Sequence, residues 1–198
     1  MTRANFFLNM AFGALVIFLA TLILIIAGTP RIDNLISDKI NSFSPDYSAG
    51  FFFNFNFYLG WILLGIAVCT FLILIFQNRR RDSFILLASL VFGYILGNLI
   101  KFAVQRARPS LSFVQEMGYS FPSNHVLFAT ILFFLLIYFF AENIKNNFLK
   151  NLFIFVNFLF VLFTGFSRIF LNVHWFTDVV GGFVLGIIIA CVAINYSR

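Results

Sequence analysis

The stretch Ser167-Arg168-Ile169-Phe170-Leu171-Asn172-Val173-His174-Trp175-Phe176-Thr177-Asp178 places an arginine, a histidine and an aspartate between two apolar runs, at residues 152–165 and roughly 175–196. Only 10% of the 198 residues are charged, against 62% hydrophobic, so each ionisable group beside an apolar run needs a partner or a task. His174 and Asp178 are four residues apart. If a helix begins near His174 they share a face one turn apart, close enough for the carboxylate to hold an imidazole N–H. The other ring nitrogen is then free as a base or nucleophile. Two groups that merely satisfy each other at a membrane interface would give the same pattern, and this stretch alone leaves both open.

Outward from it, apolar runs recur at 6–27, 55–76, 84–101 and 126–141, and the chain holds 32 phenylalanines. A membrane-spanning helix takes about 20 residues. With 152–165 and 175–196 these runs predict an all-α integral membrane protein: a single domain, residues 1–198, built as a six-transmembrane-helix bundle. The short fourth and fifth runs are completed by polar ends and neighbouring helices. The first run is too long for the apolar core of a cleaved signal peptide, so a retained span is expected. Cys69 and Cys191 lie inside apolar runs without CxxC-type company and read as small buried hydrophobes.

Thr29-Pro30 has the form of a helix start, Thr as N-cap and Pro in the first position. Ile32, Leu35, Ile36, Ile40 and Phe43 then recur at helical spacing among Arg31, Asp33, Asp38 and Lys39. This predicts a short amphipathic helix on the outer membrane surface, ended before Pro45; a loop helix packed on the bundle is the alternative. The phenylalanine-rich stretch 51–58 reads as an aromatic belt or as a greasy wall for an acyl or prenyl chain. Asn78-Arg79-Arg80-Arg81-Asp82 reads as a connecting turn. Gly93-x-x-x-Gly97, and later Gly181, Gly182 and Gly186, suit close helix packing.

The net charge of +6 is split among short connectors and forms no stripe, which excludes a nucleic-acid partner. With both termini cytoplasmic, the inside carries Arg3, Arg79, Arg80, Arg81, Lys145, Lys150 and Arg198. The outside carries Arg31, Lys39, Lys101, Arg106, Arg108 and Arg168. Four of the outer cations lie in or beside the candidate site. Setting them aside leaves an inside excess and turns the site away from the cytoplasm.

Two further pieces reach that face. Lys101 and Arg108 are seven residues apart, and Pro109 disfavours helix at Arg108, leaving its side chain on a loop from which it can swing inward. Ser123 or Asn124 can cap the fourth span, which puts His125 in its first turn beside free backbone N–H groups. In this topology Lys101, Arg108, Ser123, His125, Arg168, His174 and Asp178 converge at one membrane edge. Three cations and a helix start suit a tetrahedral oxyanion, and two histidines suit in-line attack by one and protonation of the leaving oxygen by the other. No carboxylate or cysteine cluster offers a metal site, so the cations must do the electrostatic work.

The order Lys-x6-Arg-Pro, Pro-Ser-x-His and Ser-Arg-x5-His-x3-Asp, between residues 101 and 178, resembles the signatures of the type 2 phosphatidic acid phosphatase family, which shares its site with vanadium haloperoxidases. The resemblance implies an integral-membrane lipid phosphatase without a cofactor, acting through a phosphohistidine on the extracytoplasmic face of the cytoplasmic membrane. By resemblance His174 attacks phosphorus, Asp178 orients it, and His125 protonates the leaving group and then activates water. Lys101, Arg108, Ser123, Asn124 and Arg168 hold the phosphoryl oxygens. The substrates implied are membrane lipids such as undecaprenyl diphosphate, phosphatidylglycerol phosphate, phosphatidic acid or lipid A phosphates. A lipid phosphotransferase and a non-catalytic lipid-phosphate binding or transport protein are the rival functions. Asn124 and Asn172 stand where the family usually or often has glycine; asparagine tolerates the left-handed region, so both backbones can be kept.

Overall fold

The structure is a computed structural model that describes residues 3–42, 48–110, 112 and 116–197. Among the described residues the chain forms seven α-helices, α1 (Arg3–Ile26), α2 (Arg31–Ser42), α3 (Ser48–Phe76), α4 (Arg80–Val104), α5 (Asn124–Phe140), α6 (Asn147–Phe170) and α7 (Phe176–Tyr196). A 3-10 turn, Ala141–Asn143, follows α5. All but α2 are long and apolar enough to cross a membrane, which gives the six expected spans. The predicted spans are extended mainly at their ends. The fifth gains most, because α6 begins at Asn147, where Asn146 accepts a hydrogen bond from the Leu149 N–H, and runs on to Phe170. Ser167 and Arg168 are therefore the last helical turn of a span and not part of a loop.

Polar side chains inside the spans mostly turn back on their own helix, as a medium without water requires. Thr21 donates to the Ile17 carbonyl, Thr70 to Ile66, Thr130 to Val126 and Asn157 to Phe153, each at 2.7–2.8 Å. More than half of the α5 and α7 spans is buried, against about a third of each of the others. These two helices form the centre, α1 lies along α7, and α4 and α6 flank α5. Close approach comes from small residues, which let backbones meet where lipid supplies no hydrophobic drive. A Cβ on Gly182 would lie 2.6 Å from the Ser123 carbonyl oxygen, and one on Gly186 2.6 Å from Thr130 Cβ. Gly93 and Gly97 play the same part between α4 and α5.

The aromatic stretch is helical and splits between two tasks. Phe52 and Phe55 pack on Phe163 and Phe170 of α6 with ring centroids 4.3–5.8 Å apart, while Phe53 and Phe57 point outward. The turn at 78–82 is more than a connector: the Arg79 guanidinium pairs with Asp82 at 2.8 Å and donates to the Phe139 carbonyl at the end of α5.

Between the first two spans, α2 begins at Arg31, so Pro30 and not Thr29 stands just before its first residue. The expected ends at Phe43 and Pro45 lie outside the described residues. Ile32 and Leu35 are about half exposed, the arrangement of an interfacial helix, but the face turned to the bundle carries Asp33, which is 1% exposed.

Candidate active site

Four helix ends build one pocket. At the end of α4, Gln105 takes the left-handed conformation (φ 51°) and its N–H closes on the Lys101 carbonyl, which ends the helix four residues before Pro109. Lys101, on the last turn, donates to the carbonyls of Tyr119 and Ser120 at 2.7 and 3.2 Å. Arg108 leaves the helix axis and turns inward from the loop. Its guanidinium donates to the Val173 carbonyl at 2.7 Å and lies 3.3 Å from His174 Nε2.

At the start of α5, Ser123 is the N-cap and Asn124 the first helical residue, so His125 falls in the first turn as expected. The Ser123 hydroxyl is buried without a hydrogen-bond partner. Asn124 does not use the left-handed region; its backbone is helical. Its amide instead turns toward α4, donating to Asn98 Oδ1 at 3.2 Å over Gly97, where a Cβ would sit 2.7 Å from Asn124 Oδ1.

From the end of α6, Arg168 projects a completely buried side chain. Its Nη2 pairs with Glu116, and its Nε and Nη1 have no partner. Asn172 does occupy the left-handed region (φ 52°), and this tight turn brings the His174 N–H to the Arg168 carbonyl at 3.4 Å. Ser37 of α2 donates to Asn172 Oδ1 at 2.9 Å. Trp175 then caps α7. The Asp178 carboxylate reaches back from the third helical position, one oxygen accepting from the Trp175 N–H at 2.9 Å and lying 3.4 Å from His174 Nδ1. The helix thus begins two residues after His174, and the four-residue spacing works through a cap.

Lys101, Arg108, Asn124, His125 and His174 line the resulting pocket of about 290 Å³ together with Glu116. Arg168 stands behind Glu116 and Asp178 behind His174, while Ser123, next to Asn124, is fully buried. His174 is buried, and burial, followed by the neighbouring Arg168, Arg108 and Lys101, lowers its pKa well below the ordinary value, with Glu116 opposing. The imidazole is therefore neutral near pH 7.

Three residues without an assigned role in the sequence reading belong to this construction. Arg106 is buried and bonds Asp178 Oδ1 at 2.5 Å, Thr177 Oγ1 at 2.7 Å and Asp33 Oδ2 at 2.6 Å. Asp33 also accepts from the Thr177 N–H at 2.9 Å, which ties α2 to the start of α7. Glu116 bridges the two arginines, with Oε2 3.1 Å from Arg108 Nη1. The available signal was the scarcity of acids: with seven Asp and Glu in the chain, each must be placed.

The sequence profile of the PAP2 superfamily matches residues 82–198. Phosphatidylglycerophosphatase B of Bacillus subtilis is 34% identical over 119 residues, 58% of this chain and 57% of that protein. An undecaprenyl-diphosphatase of Sulfolobus acidocaldarius is 28% identical over 125 residues, 59% and 56% of the two chains. The chain thus aligns with somewhat over half the length of these curated relatives. The crystal structure of a transmembrane PAP2-type phosphatidylglycerolphosphate phosphatase from Bacillus subtilis superposes with a TM-score of 0.80 at 24% identity, covering 92% of this chain and 94% of that one, and so shares the fold. The profile spans more than half of the sequence and contains all three signature segments within that fold, and the chain belongs to the PAP2 superfamily.

Proposed function

We propose that the protein is an integral-membrane lipid phosphatase that works through a phosphohistidine on His174. The observation that carries this is the pairing of a buried imidazole, its Nδ1 turned to Asp178 and its Nε2 to the pocket, with buried donors of Arg168 and Ser123 that have no protein partner. Nε2 attacks phosphorus in line; the P–N bond forms as the bond to the leaving oxygen breaks, and His125 gives that oxygen a proton. Water then loses a proton to His125 and attacks phosphorus, the P–N bond breaks, and inorganic phosphate leaves with His174 restored. Lys101, Arg108 and Arg168, with Ser123 and the backbone near Asn124, stabilise the charge on the phosphoryl oxygens. The positive charge comes from side chains, so no metal is required.

An apolar crevice between α3 and α4 supports a lipid as substrate. It opens beside His125 and Asn124 at Gly60, Leu64, Tyr94 and Phe128 and continues to Ala67, Phe71 and Leu86. It lies beyond the aromatic stretch at 51–58, which leaves the tail to α3 from Gly60 onward. The names of the curated relatives favour phosphatidylglycerol phosphate or an isoprenyl diphosphate over phosphatidic acid and lipid A phosphates. The extracytoplasmic location of the site is supported by Arg79, Arg80, Arg81, Lys145 and Lys150 at the opposite end of the bundle.

The test is phosphate release from a panel of long-chain lipid phosphates by purified protein in detergent with EDTA present. Release is expected to survive EDTA and to fall by about four orders of magnitude or more in His174→Ala. Activity retained by that variant removes the nucleophile assignment.

A further inference from the structure

Around the pocket the acids divide into two groups. Asp178 and Asp33 share Arg106 and lie behind His174. Glu116 stands apart, inside the pocket, among the cations assigned above to the phosphoryl oxygens. One of its oxygens takes Arg168 Nη2 and the other takes Arg108 Nη1. A carboxylate spanning two guanidiniums is the nearest protein counterpart of a phosphate held between them. Burial favours its neutral form, but Arg168, through its charge and its hydrogen bond, and the charge of Arg108 override this and hold the carboxyl down at about 2. Glu116 is thus an anion at any working pH. A phosphoryl group brought to the same donors would meet a like charge at contact distance, so the two cannot share them.

Glu116 also has an exit. Its side chain is 22% exposed, its neighbour Met117 is 98% exposed, and Gly118 turns the chain with φ at +82°. Resting on the phosphatase reading, we propose that Glu116 is an internal competitor for the phosphate subsite: its carboxylate sits where the phosphoryl group must bind, gives way to it, and returns as phosphate departs. Such a group weakens the hold on substrate and on released phosphate alike, which keeps product from accumulating on a site built of three cations.

A strut that merely spaces the two arginines makes the opposite prediction, and the sign of one measurement separates them. Hydrolysis of a short-chain phosphatidylglycerol phosphate in detergent micelles is inhibited with inorganic phosphate in wild type, Glu116→Gln and Glu116→Asp. The competitor role predicts an inhibition constant at least about tenfold lower in Glu116→Gln, with KM falling in the same direction, since phosphate and substrate no longer have to displace a carboxylate from its ion pairs with Arg108 and Arg168. Glu116→Asp, whose shorter carboxylate cannot span both guanidiniums, is expected to fall about threefold and carries the test if Glu116→Gln does not fold. An unchanged or higher constant in the variants, with hydrolysis intact, overturns the proposal and leaves the phosphatase reading standing. No hydrolysis by the wild type, with no rise in its melting temperature on adding inorganic phosphate, removes both.

Discussion

Arginines stand at both ends of the bundle, and they do different things. At the end away from the pocket, Arg79 spends its donors on Asp82 and the Phe139 carbonyl and lies over the Phe139 and Phe140 rings, while Arg81 donates to the Tyr196 carbonyl. These are half-exposed or exposed groups closing helix ends, and the Glu142–Lys150 pair there is separated by 3.9 Å. At the pocket end, Arg168 is wholly buried yet keeps two donor nitrogens unpaired, and Arg106 is buried with two carboxylates. Burying a cation costs free energy unless partners compensate it. One end uses cations to finish the fold; the other keeps donor capacity that the fold does not consume.

The sharpest break of this comparison is a pair of substitutions. Arg168→Ala is expected to lower phosphatase kcat/KM by about two to three orders of magnitude, the usual loss for a charge-stabilising donor. Arg79→Ala should leave activity per folded molecule within about twofold while lowering the melting temperature, because it removes a clamp on α5 and no donor from the pocket. Equal losses of activity in the two would erase the distinction.

A smaller effect tests the paired part of the pocket end. Asp33→Asn takes away one of the two carboxylates on Arg106, so Asp178 loses its positioning partner's geometry without losing contact with His174. The expected result is a roughly 10- to 100-fold drop in kcat with KM little changed, as for other partners that orient a reacting group. A KM effect alone would make α2 a substrate contact instead.

The smallest effect is on pH. Because burial and the flanking cations depress His174, it stays unprotonated as pH falls through the ordinary histidine value of about 6.5. The acid limb of kcat/KM assigned to it should lie below that value, and Glu116→Gln should move it lower still, since Glu116 is the group that raises it. The unfolded chain takes up this proton below about pH 6.5 and the folded chain does not, so stability declines as pH drops toward the lowered folded value. A limb above 6.5 would mean that the imidazole is charged in the working protein.

Much of this was legible in sequence where spacing and topology act together. The apolar runs give the spans, and alternating span direction puts Lys101, Arg108, His125, Arg168 and His174 at one edge before any contact is known. Asn172 was readable too, since the left-handed turn depends on the residue's own backbone. Asn124 was not: its backbone is helical, and its side chain fits because Gly97 faces it across α4, a register that sequence does not reveal. Asp33 was hidden by its own helix. In a soluble protein the apolar face of α2 would mark the buried side, but at a membrane surface Ile32 and Leu35 turn outward and the acid turns in. Glu116 lies in an irregular loop, where no periodicity assigns a direction to a side chain.

If phosphorus is bonded to His174 during turnover, rapid acid-free quenching followed by peptide mass spectrometry captures the bond itself. The expected result is a phosphorylated peptide carrying His174 that appears on mixing with a lipid phosphate, decays as inorganic phosphate is released, and is absent in His174→Ala. Steady release of phosphate with no such peptide, or with the group on another residue, would contradict it.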